Sequence, residues 1–397
     1  MEACFGNQGQ VSMQILHVSS FAPPHLGGLE TCAEGLFREL VESGLSVQWL
    51  FSDVPHMRAA VNTVRIDVWN AAEKRLGIPI PIPKPAGIRK IWECVRAADL
   101  VHVHDVMYFT SFWTVVFARV LKKRMVVTLH IWKVPYRNML IRGLQDVAHR
   151  ILGQFCLKSA SAVVTYNRQI FKLARRYLDE DRVHFIPNGI SRTFLKSVFE
   201  VSPESQANLR ARLGLPLNTK IAIFAGRFVE KKGLLRIHSL AKLFPGVLFL
   251  FCGTGPHDPS EWGCGNVKAL GQKTAIQLQE LFYASDILLL PSIGEGFPLV
   301  IQEAMGCGLP CLVFEETWAS WGRDRALFVV TDRGRLEAAL GAYLENPFPI
   351  ALRRDIQKFS QTTWNWTNSA AEYRKIYDSL MNVNLLTEAI CAVRLDE

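Results

Sequence analysis

Two basic residues in the second half of the chain have the types and spacing expected of a site for a diphosphate. Arg227 follows the apolar run KIAIFAG, and Lys232 stands directly before a glycine that opens a helical pattern. An arginine presents a planar fork of N–H donors to phosphate oxygens, and a lysine adds a compact positive charge. On spacing alone, the alternative is a surface arginine beside a solvated lysine pair.

Two glutamates lie in the segment GEGFPLVIQEAMGCG, residues 294–308. Glu295 is predicted in a loop and Glu303 in the second turn of a helix, so they do not resemble the carboxylate pair that flanks one bond in glycoside hydrolases. They suit hydroxyl groups at two separated points of one ligand, although Glu303 could also be an ordinary helix charge. Proline is favoured at the first helical position, so the free amides near Pro298 are expected to face an anion.

A glycine pair and a histidine complete the candidate residues. Gly27 and Gly28 follow the first apolar run and open a helix, where the backbone can approach a ligand and the helix N-terminus favours an anion. A tight turn is the competing interpretation of the pair. His130 ends the run MVVTLH, and on sequence alone a buried structural histidine is the more common interpretation.

Most of these residues follow short apolar runs that alternate with helical patterns, which is typical of parallel sheets covered by helices on both faces. The helices are predicted at 233–244, 274–285 and 300–306 in the second half, and the polar stretch 197–210 is predicted as a linker. Ligands of such sheets bind beyond the carboxyl ends of the strands. The predicted strands are QILHVS (14–19), SVQWLFS (46–52), LVHVH (100–104), MVVTLH (125–130), AVVTYN (162–167), KIAIFAG (220–226), VLFLFCG (247–253), DILLLPS (286–292) and PCLVFE (310–315).

The motifs, taken in order, resemble those of the family-4 glycosyltransferases, which are retaining enzymes of GT-B architecture. The resemblance runs from about Met13 to Leu380 and rests on HVSSFAPPHLGGLE, LVHVHD, VVTLH, IPNGI, AGRFVEKKG and EGFPLVIQEAMGCGLP. It departs from the family at Ser191, where an acidic residue often follows IPNGI. The implied fold class is α/β, with two doubly wound Rossmann-like domains facing an interdomain cleft. The expected boundaries are a loose tail at 1–12, a first domain at 13–196 plus 366–397 with a returning C-terminal helix, and a second domain at 197–365.

The resemblance also implies a role for each candidate residue. Arg227 and Lys232 would neutralise the departing diphosphate, and Glu303 would bind the ribose hydroxyls. Glu295 and the amides of residues 297–299 would hold the transferred sugar, and His130 would lie near the reacting sugar and the acceptor. The implied catalytic residues are therefore His130, Arg227, Lys232 and Glu295. The implied donor-binding residues are Gly27, Gly28, Arg227, Lys232, Glu295, Phe297, Pro298, Leu299 and Glu303.

The stretch from Val106 to Tyr177 contains thirteen Lys or Arg residues and one acidic residue, Asp146, so its net charge of +12 exceeds the +9 of the whole chain. A solvated basic face is one interpretation. The functional interpretation is attraction to an anionic partner, either a phospholipid surface, a pyrophosphate-linked acceptor or nucleic acid. Nucleic acid is not expected, because no recognised binding module accompanies the charge.

The remaining features concern compartment and cofactors. Nine scattered cysteines without a CxxC pair favour a reducing compartment, and no apolar run approaches the roughly 18 residues of a membrane span. The first twelve residues lack the features of a secretory signal, so we expect a cytoplasmic protein, either free or peripheral at the inner face of the membrane. No DxD-like metal site stands out in the loops, and Gly253-Thr254-Gly255-Pro256 does not match GxGxxG. We therefore expect no cofactor and no metal.

The function predicted from these features is transfer of a sugar, with retention, from a nucleotide-sugar donor to a glycan or lipid-linked acceptor. Synthesis of a cell-surface polysaccharide or a glycolipid is the expected setting. Two alternatives remain open at this point. One is a related GT-B enzyme, such as a nucleotide-sugar 2-epimerase or a sugar-phosphate synthase. The other is a catalytically silent binding protein that is recruited to membranes.

Overall fold

The computed structural model of the chain describes residues 13–23, 27–53, 61–70, 81–130, 132, 139–196 and 198–393. The predicted tail at 1–12 and the last four residues of the predicted first domain lie outside these ranges. Seven cysteines are free thiols, namely Cys32, Cys94, Cys156, Cys252, Cys264, Cys307 and Cys311.

The first domain is built on a seven-stranded sheet with the strand order β3-β2-β1-β6-β7-β8-β9, in which every pairing is parallel. The central strands read as continuous apolar runs because helices cover both faces of the sheet. Its strands, with a small antiparallel pair β4 and β5, are β1 (Gln14–Val18), β2 (Ser46–Ser52), β3 (Thr63–Ile66), β4 (Val68–Trp69), β5 (Ile82–Pro83), β6 (Leu100–His104), β7 (Arg124–Leu129), β8 (Ala162–Thr165) and β9 (Val183–Phe185).

Helices cross between these strands, as parallel pairing requires. A five-residue π-helical segment, His149–Gly153, joins two of the helices into one long element. The helices of this half of the chain are α1 (Gly28–Glu42), α2 (Pro85–Ala97), α3 (Phe109–Val120), α4 (Met139–Ala148), α5 (Gln154–Ser159), α6 (Arg168–Ala174) and α7 (Arg192–Leu195).

The second domain repeats this plan with a six-stranded parallel sheet in the order β12-β11-β10-β13-β14-β15. Its strands are β10 (Lys220–Ala225), β11 (Val247–Cys252), β12 (Val267–Gly271), β13 (Ile287–Leu290), β14 (Cys311–Phe314) and β15 (Val329–Thr331). Its helices are α8 (Pro203–Arg212), α9 (Leu234–Leu243), α10 (Ala275–Ala284), α11 (Leu299–Gly306), α12 (Glu315–Trp321), α13 (Leu336–Glu345) and α14 (Ile350–Thr363).

The prediction of a linker over 197–210 is wrong for most of that stretch. Residues from Pro203 form helix α8, with Ser202 as the N-cap and proline at the first position. Arg210 of this helix is buried, forms an ion pair with Asp286 at 2.7 Å and donates to three carbonyl groups. The polar sequence therefore belongs to a helix that is fixed to the second domain.

The last helix, α15 (Trp366–Val393), crosses back to the first domain. The Tyr377 hydroxyl lies 2.8 Å from Nδ1 of His102 on β6, and the Tyr373 hydroxyl lies 2.8 Å from Oγ1 of Thr128 on β7. Both tyrosines are buried. Helix α15 is therefore held by hydrogen bonds to two of the strands that lead toward the cleft. The exact domain limits expected from the sequence remain a prediction.

The predicted fold class is confirmed, because both parallel sheets are present with helices around them. Most predicted strands end within about two residues of the observed limits. Six of the described strands were not predicted. Two of them are the two-residue strands β4 and β5 of the small antiparallel pair, and the other four are β3, β9, β12 and β15. These four contain three to five residues each and lie at the edges of the two large sheets, where a short run leaves little periodicity to detect.

Candidate functional site

The loops that follow β10 and β13 bring the predicted cations and acids of the second domain together. Gly233 has a φ of 78°, and a Cβ on this residue would lie 2.2 Å from the carbonyl oxygen of Pro291. The Ile293 amide donates to the carbonyl of Lys231 at 2.9 Å. Only a glycine allows this close approach, so the two loops are held side by side.

Lys232 and Glu295 are neighbours because of this loop arrangement. The Nζ of Lys232 lies 3.1 Å from Oε1 of Glu295, and the Nζ of Lys231 lies 3.5 Å from the same oxygen. Burial lowers the pKa of Lys232, and the Glu295 carboxylate opposes that shift. The Glu295 carboxylate therefore favours the charged form of Lys232 at a half-buried position of the cleft.

Arg227 lies close to this pair, since its charge also acts on the pKa of Lys232. Its side chain is exposed. Within the described part of the chain, it has no hydrogen-bond or ion-pair partner. An unpaired guanidinium beside a lysine is suited to an anion with several oxygens, such as a diphosphate.

Glu303 lies in the second turn of α11, as the sequence predicts. It too has no hydrogen-bond or ion-pair partner among the residues that the structure describes. Burial raises its pKa to about 7. Burial chiefly, and then the carboxylates of Glu30 and Glu303, raise the pKa of the Cys32 thiol on α1. Glu303 is therefore close to the first domain across the cleft and can accept hydrogen bonds from a ligand.

The residues between the two glutamates differ from the prediction in one respect. Pro298 is the N-cap of α11 and not its first helical residue, and its carbonyl accepts from the Ile301 amide. The Phe297 side chain is buried against Trp321, with ring centroids 5.7 Å apart. Leu299 packs on the core of the first domain. Phe297 and Leu299 can therefore reach a ligand through their main chain, while their side chains fix the helix.

Helix α12 supports the loop that carries Glu295. The Gly294 amide donates to Oε1 of Glu316 at 3.1 Å, and the Ser320 hydroxyl donates to the Gly296 carbonyl at 2.8 Å. These two part-buried hydrogen bonds tie the loop to α12.

Gly27 and Gly28 have different surroundings at the start of α1. A Cβ on Gly27 would lie 2.0 Å from Oε2 of Glu30, so this glycine leaves room for the buried Glu30 carboxylate. A Cβ on Gly28 would meet nothing within 4 Å. Among the described residues, which do not include 24–26, there is therefore open space beside Gly28 and not beside Gly27.

His130 directly follows β7 and is buried. The Nε2 of His130 shares a hydrogen bond of 2.8 Å with Nδ1 of His104, and the Nδ1 of His130 lies 3.3 Å from the Tyr166 hydroxyl. The His130 amide donates to Oδ1 of Asp105 at 2.8 Å. Burial lowers the pKa of His130 to about 3, so the ring is neutral. Both ring nitrogens point into the first domain, an orientation that no spacing in the sequence indicates.

The main chain of His130 faces the second domain. A Cβ on Gly296 would lie 3.1 Å from the His130 carbonyl oxygen and 3.8 Å from the Tyr166 hydroxyl. The end of β7 and the loop of Glu295 are therefore in contact. The part of His130 that lies near the second domain is therefore its carbonyl group and not its ring.

Three buried histidines lie behind His130. The ring nitrogens of His17, His102 and His104 that could bind a metal ion lie within 4.8 Å of one another. His102 already uses both nitrogens, toward Thr128 and Tyr377, so a metal would have to displace one of these bonds. Burial lowers the pKa of His17 to about 3, and the cluster is therefore neutral and packed as part of the core.

Comparison with known proteins identifies the family. Residues 26–194 match the model for "Glycosyltransferase Family 4", and residues 205–320 match that for "Glycosyl transferases group 1". The Bacillus subtilis protein TuaC, described as a teichuronic acid biosynthesis glycosyltransferase, is 28% identical over 328 residues, which cover 76% of this chain and 80% of TuaC. The alpha-galactosylglucosyldiacylglycerol synthase of Streptococcus pneumoniae is 25% identical over 232 residues, 54% of this chain and 59% of that enzyme.

The fold comparison agrees with the sequence comparison. The crystal structure of Anabaena HepE in complex with UDP superposes with a TM-score of 0.71 at 17% sequence identity and covers 92% of this chain and all of that chain. No described helix has the length and apolar character needed to cross a bilayer. With one family model matching each sheet domain, the chain belongs to the family-4 glycosyltransferases of GT-B fold and is a glycosyltransferase.

Proposed function

We propose that this enzyme transfers a sugar from a nucleotide-sugar donor, with retention of anomeric configuration, to a glycan or lipid-linked acceptor. The observation that carries the proposal is a pair of unpartnered groups of opposite charge on the segments that follow β10 and β13. Arg227 is an exposed cation and Glu303 is a partly buried carboxylate, and neither has a partner in the described part of the chain. A nucleotide sugar supplies an anion for the first and hydroxyl groups for the second.

In this proposal Arg227 and Lys232 bind the diphosphate, with the open backbone at Gly28 beside them. Glu303 accepts from the ribose hydroxyls. Glu295 and the amides of residues 297 and 299 hold the sugar that is transferred. Lys232 would be shared between Glu295, at 3.1 Å, and the phosphate oxygens.

The chemical step breaks the bond between the anomeric carbon and the diphosphate oxygen. The acceptor oxygen forms its bond on the face that the diphosphate leaves, and the acceptor proton passes to the diphosphate. Fixed charges that stabilise the departing diphosphate account for most of the expected acceleration. The His130 carbonyl, which faces the loop at Gly296, would stabilise positive charge that develops on the sugar.

The similar proteins support the donor and acceptor classes to be tested first. HepE was solved with UDP, so UDP-sugars are the first donors to test. TuaC and the diacylglycerol-linked synthase are named for a polysaccharide and for a glycolipid. Cell-surface polysaccharide or glycolipid synthesis is therefore the proposed setting.

A thermal-shift screen against UDP-, GDP- and ADP-sugars tests donor binding. A bound donor stabilises the folded protein by mass action, by about 2.7 kcal/mol at a hundredfold excess over the dissociation constant. The melting temperature therefore rises when the donor binds. The shift should be much smaller in Glu303→Gln, which removes the carboxylate and keeps the shape. The absence of a shift with every nucleotide sugar would contradict the proposal.

Product analysis tests retention and metal independence in one reaction. The anomeric proton coupling of the product, measured by NMR, should match the configuration of the donor, and an inverted product would contradict retention. We propose a reaction without a metal cofactor, so the rate should be the same after exhaustive treatment with EDTA. A rate that is lost with EDTA and restored by Mn²⁺ or Mg²⁺ would contradict that part.

We further propose that the first domain docks on an anionic membrane from the cytoplasmic side through α4 and α5. Large apolar side chains are exposed along this continuous helical stretch, with Val147 55% and Ile151 62% exposed. Arg142 and Arg150 are exposed on the same stretch. Apolar side chains beside cations are suited to the boundary between acyl chains and anionic headgroups.

Vesicle sedimentation tests this docking. The protein should pellet with vesicles that contain phosphatidylglycerol, less at high salt and little with phosphatidylcholine alone. The double change Val147→Ser with Ile151→Ser should release it into the supernatant, whereas Val198→Ser, at an equally exposed valine elsewhere, should not. No pelleting at low salt, or the same pelleting of both variants, would contradict the docking.

A further inference from the structure

An open cleft of about 470 Å³ lies beside the loop of Glu295. Residues 294–296 and Glu316 form the wall of the cleft on the side of the second domain. Trp132 and several residues between the start of α6 and the turn after it form the wall on the side of the first domain. Since the donor sugar is assigned to the Glu295 loop in our proposed function, this cleft is where an acceptor can approach the anomeric carbon.

One face of α6 and its following turn lines the cleft. Gln169, Lys172, Leu173 and Arg176 all line it, and their spacing of three, four and seven residues is that of one helix face. Arg175 falls outside this face, where it pairs with Glu180 and lies over the Phe171 ring. The two cations of the cleft are therefore one helical turn apart on the same wall.

The two acidic residues that line the cleft form ion pairs with basic residues that do not line it. Glu295 contacts Lys231 and Lys232, and Glu316 pairs with Arg333 at 3.0 Å while it accepts from the Gly294 amide. Lys172 and Arg176 have no hydrogen-bond or ion-pair partner in the part of the chain that is described. The cations of the lining that have no side-chain partner are therefore Lys172 on α6 and Arg176 in the turn after it.

The remaining polar groups of the wall also favour a ligand that accepts hydrogen bonds. The Oδ1 of Asn167 is used by the amides of Gln169 and Ile170, which begin α6. Its Nδ2 is left on the side of Gly296, 3.9 Å from the position a Cβ would take there. An amide NH2, an ammonium and a guanidinium all donate, so the matching ligand group is an oxygen-rich anion.

We infer that this cleft binds the acceptor and that the acceptor carries an anionic group, a carboxylate or a phosphate, which Lys172 and Arg176 hold. Trp132 provides an aromatic wall for the apolar face of the acceptor sugar, as is common in sugar-sized pockets with few polar groups. The inference rests on the proposed function, because the acceptor class has meaning only for a transferase with its donor at Glu295.

Matched acceptors test the inference. Three acceptors that share one glycan core are compared with one another, each in a reaction with the donor found in the thermal-shift screen. The first is neutral, the second has its terminal hexose replaced by the corresponding uronic acid, and the third carries a phosphate. The kcat/KM of at least one anionic acceptor should exceed that of the neutral acceptor by tenfold or more. A preference for the uronic acid assigns the carboxylate, and a preference for the phosphate assigns the phosphate. Equal rates for all three would overturn the inference.

Single substitutions then connect the preference to the two cations. Lys172→Gln and Arg176→Gln should each lower the ratio of kcat/KM for the anionic acceptor to that for the neutral acceptor by roughly ten- to a hundredfold, since each removes a charge-assisted hydrogen bond. Arg175→Gln removes the same charge one residue away and should leave the ratio unchanged. The same decrease in all three variants would overturn the inference.

Failure of the proposed function has a different signature. If no nucleotide sugar shifts the melting temperature or is consumed, the donor assignment fails first. If the donor is consumed and neutral acceptors react as well as anionic ones, the transferase stands and the anionic acceptor is wrong. The donor-induced shift of each variant also checks that the variant is folded.

Discussion

At the scale of single residues, local features position the charged groups of the donor half, whereas contacts from other strands orient the ring of His130. Arg227, Lys232 and Glu303 could be predicted because each follows a strand end or lies in a helix turn that the apolar pattern defines. The orientation of the His130 ring depends on His104 from another strand and on Tyr166 from a third. Such contacts are not local, and no spacing in the sequence encodes them.

The raised pKa of Glu303 gives a prediction for pH dependence. Below about pH 7 the carboxyl is protonated and accepts fewer hydrogen bonds, so the dissociation constant of the donor should decrease as pH rises through about 7. Glu303→Gln should remove this dependence and weaken donor binding roughly ten- to a hundredfold at alkaline pH, the usual cost of a hydrogen bond to a charged group. Isothermal titration over this pH range measures both effects.

The same group makes a prediction for stability. The folded protein retains the Glu303 proton up to about pH 7, while the unfolded chain loses it near 4.5, so this group's contribution to stability is lost as pH rises between these values. Glu303→Gln should therefore lose less stability than the unchanged protein over that interval. A donor affinity with the same pH profile in both proteins would contradict the role of Glu303.

At the scale of elements, the apolar runs predicted the central strands because those strands are buried on both faces. The run LVHVH predicts β6 without error, and every position of it is buried. Helix α8 was missed because its sequence is polar. It is held by the buried contact of Arg210 with Asp286, which lies 76 residues further along the sequence. The anchoring of α15 by tyrosines is likewise a long-range contact.

Removing one of those hydroxyl groups tests how α15 is anchored. Tyr377→Phe leaves Nδ1 of His102 buried without its partner, which should lower the free energy of unfolding by about 1–3 kcal/mol. Tyr177→Phe, at a tyrosine that is 37% exposed, is the matched control and should have little effect. Urea denaturation measures both, and equal stability of the two variants would contradict the anchoring.

At the scale of the whole molecule, the two domains meet where the end of β7 faces the Glu295 loop. The resemblance predicted a cleft between the domains, but neither the contact at Gly296 nor the cations of α6 in the cleft could be predicted. Both depend on how the two halves are juxtaposed, which no local pattern in either half contains. The side chains that we assign to the donor lie in the second domain, and residues of both domains line the cleft that we assign to the acceptor.

A larger side chain at Gly296 tests this juxtaposition. A Cβ there already approaches the His130 carbonyl to 3.1 Å, so Gly296→Val should push the domains apart. A displacement of about 1 Å can reduce the rate roughly a hundredfold, so kcat should decrease strongly. Gly246→Val, where a Cβ meets nothing within 4 Å, is the control in the same domain. Unchanged turnover of Gly296→Val would contradict the contact.

The most direct test of the central claim is the turnover of Arg227→Ala with the donor that stabilises the protein. Arg227 is exposed and has no partner in the described part of the chain, so its removal should leave the circular dichroism spectrum and the urea midpoint unchanged. Loss of one preorganised donor to the departing diphosphate should lower kcat by roughly 10²- to 10³-fold, or about 3–4 kcal/mol. A folded Arg227→Ala protein that turns over at nearly the normal rate would contradict the assignment.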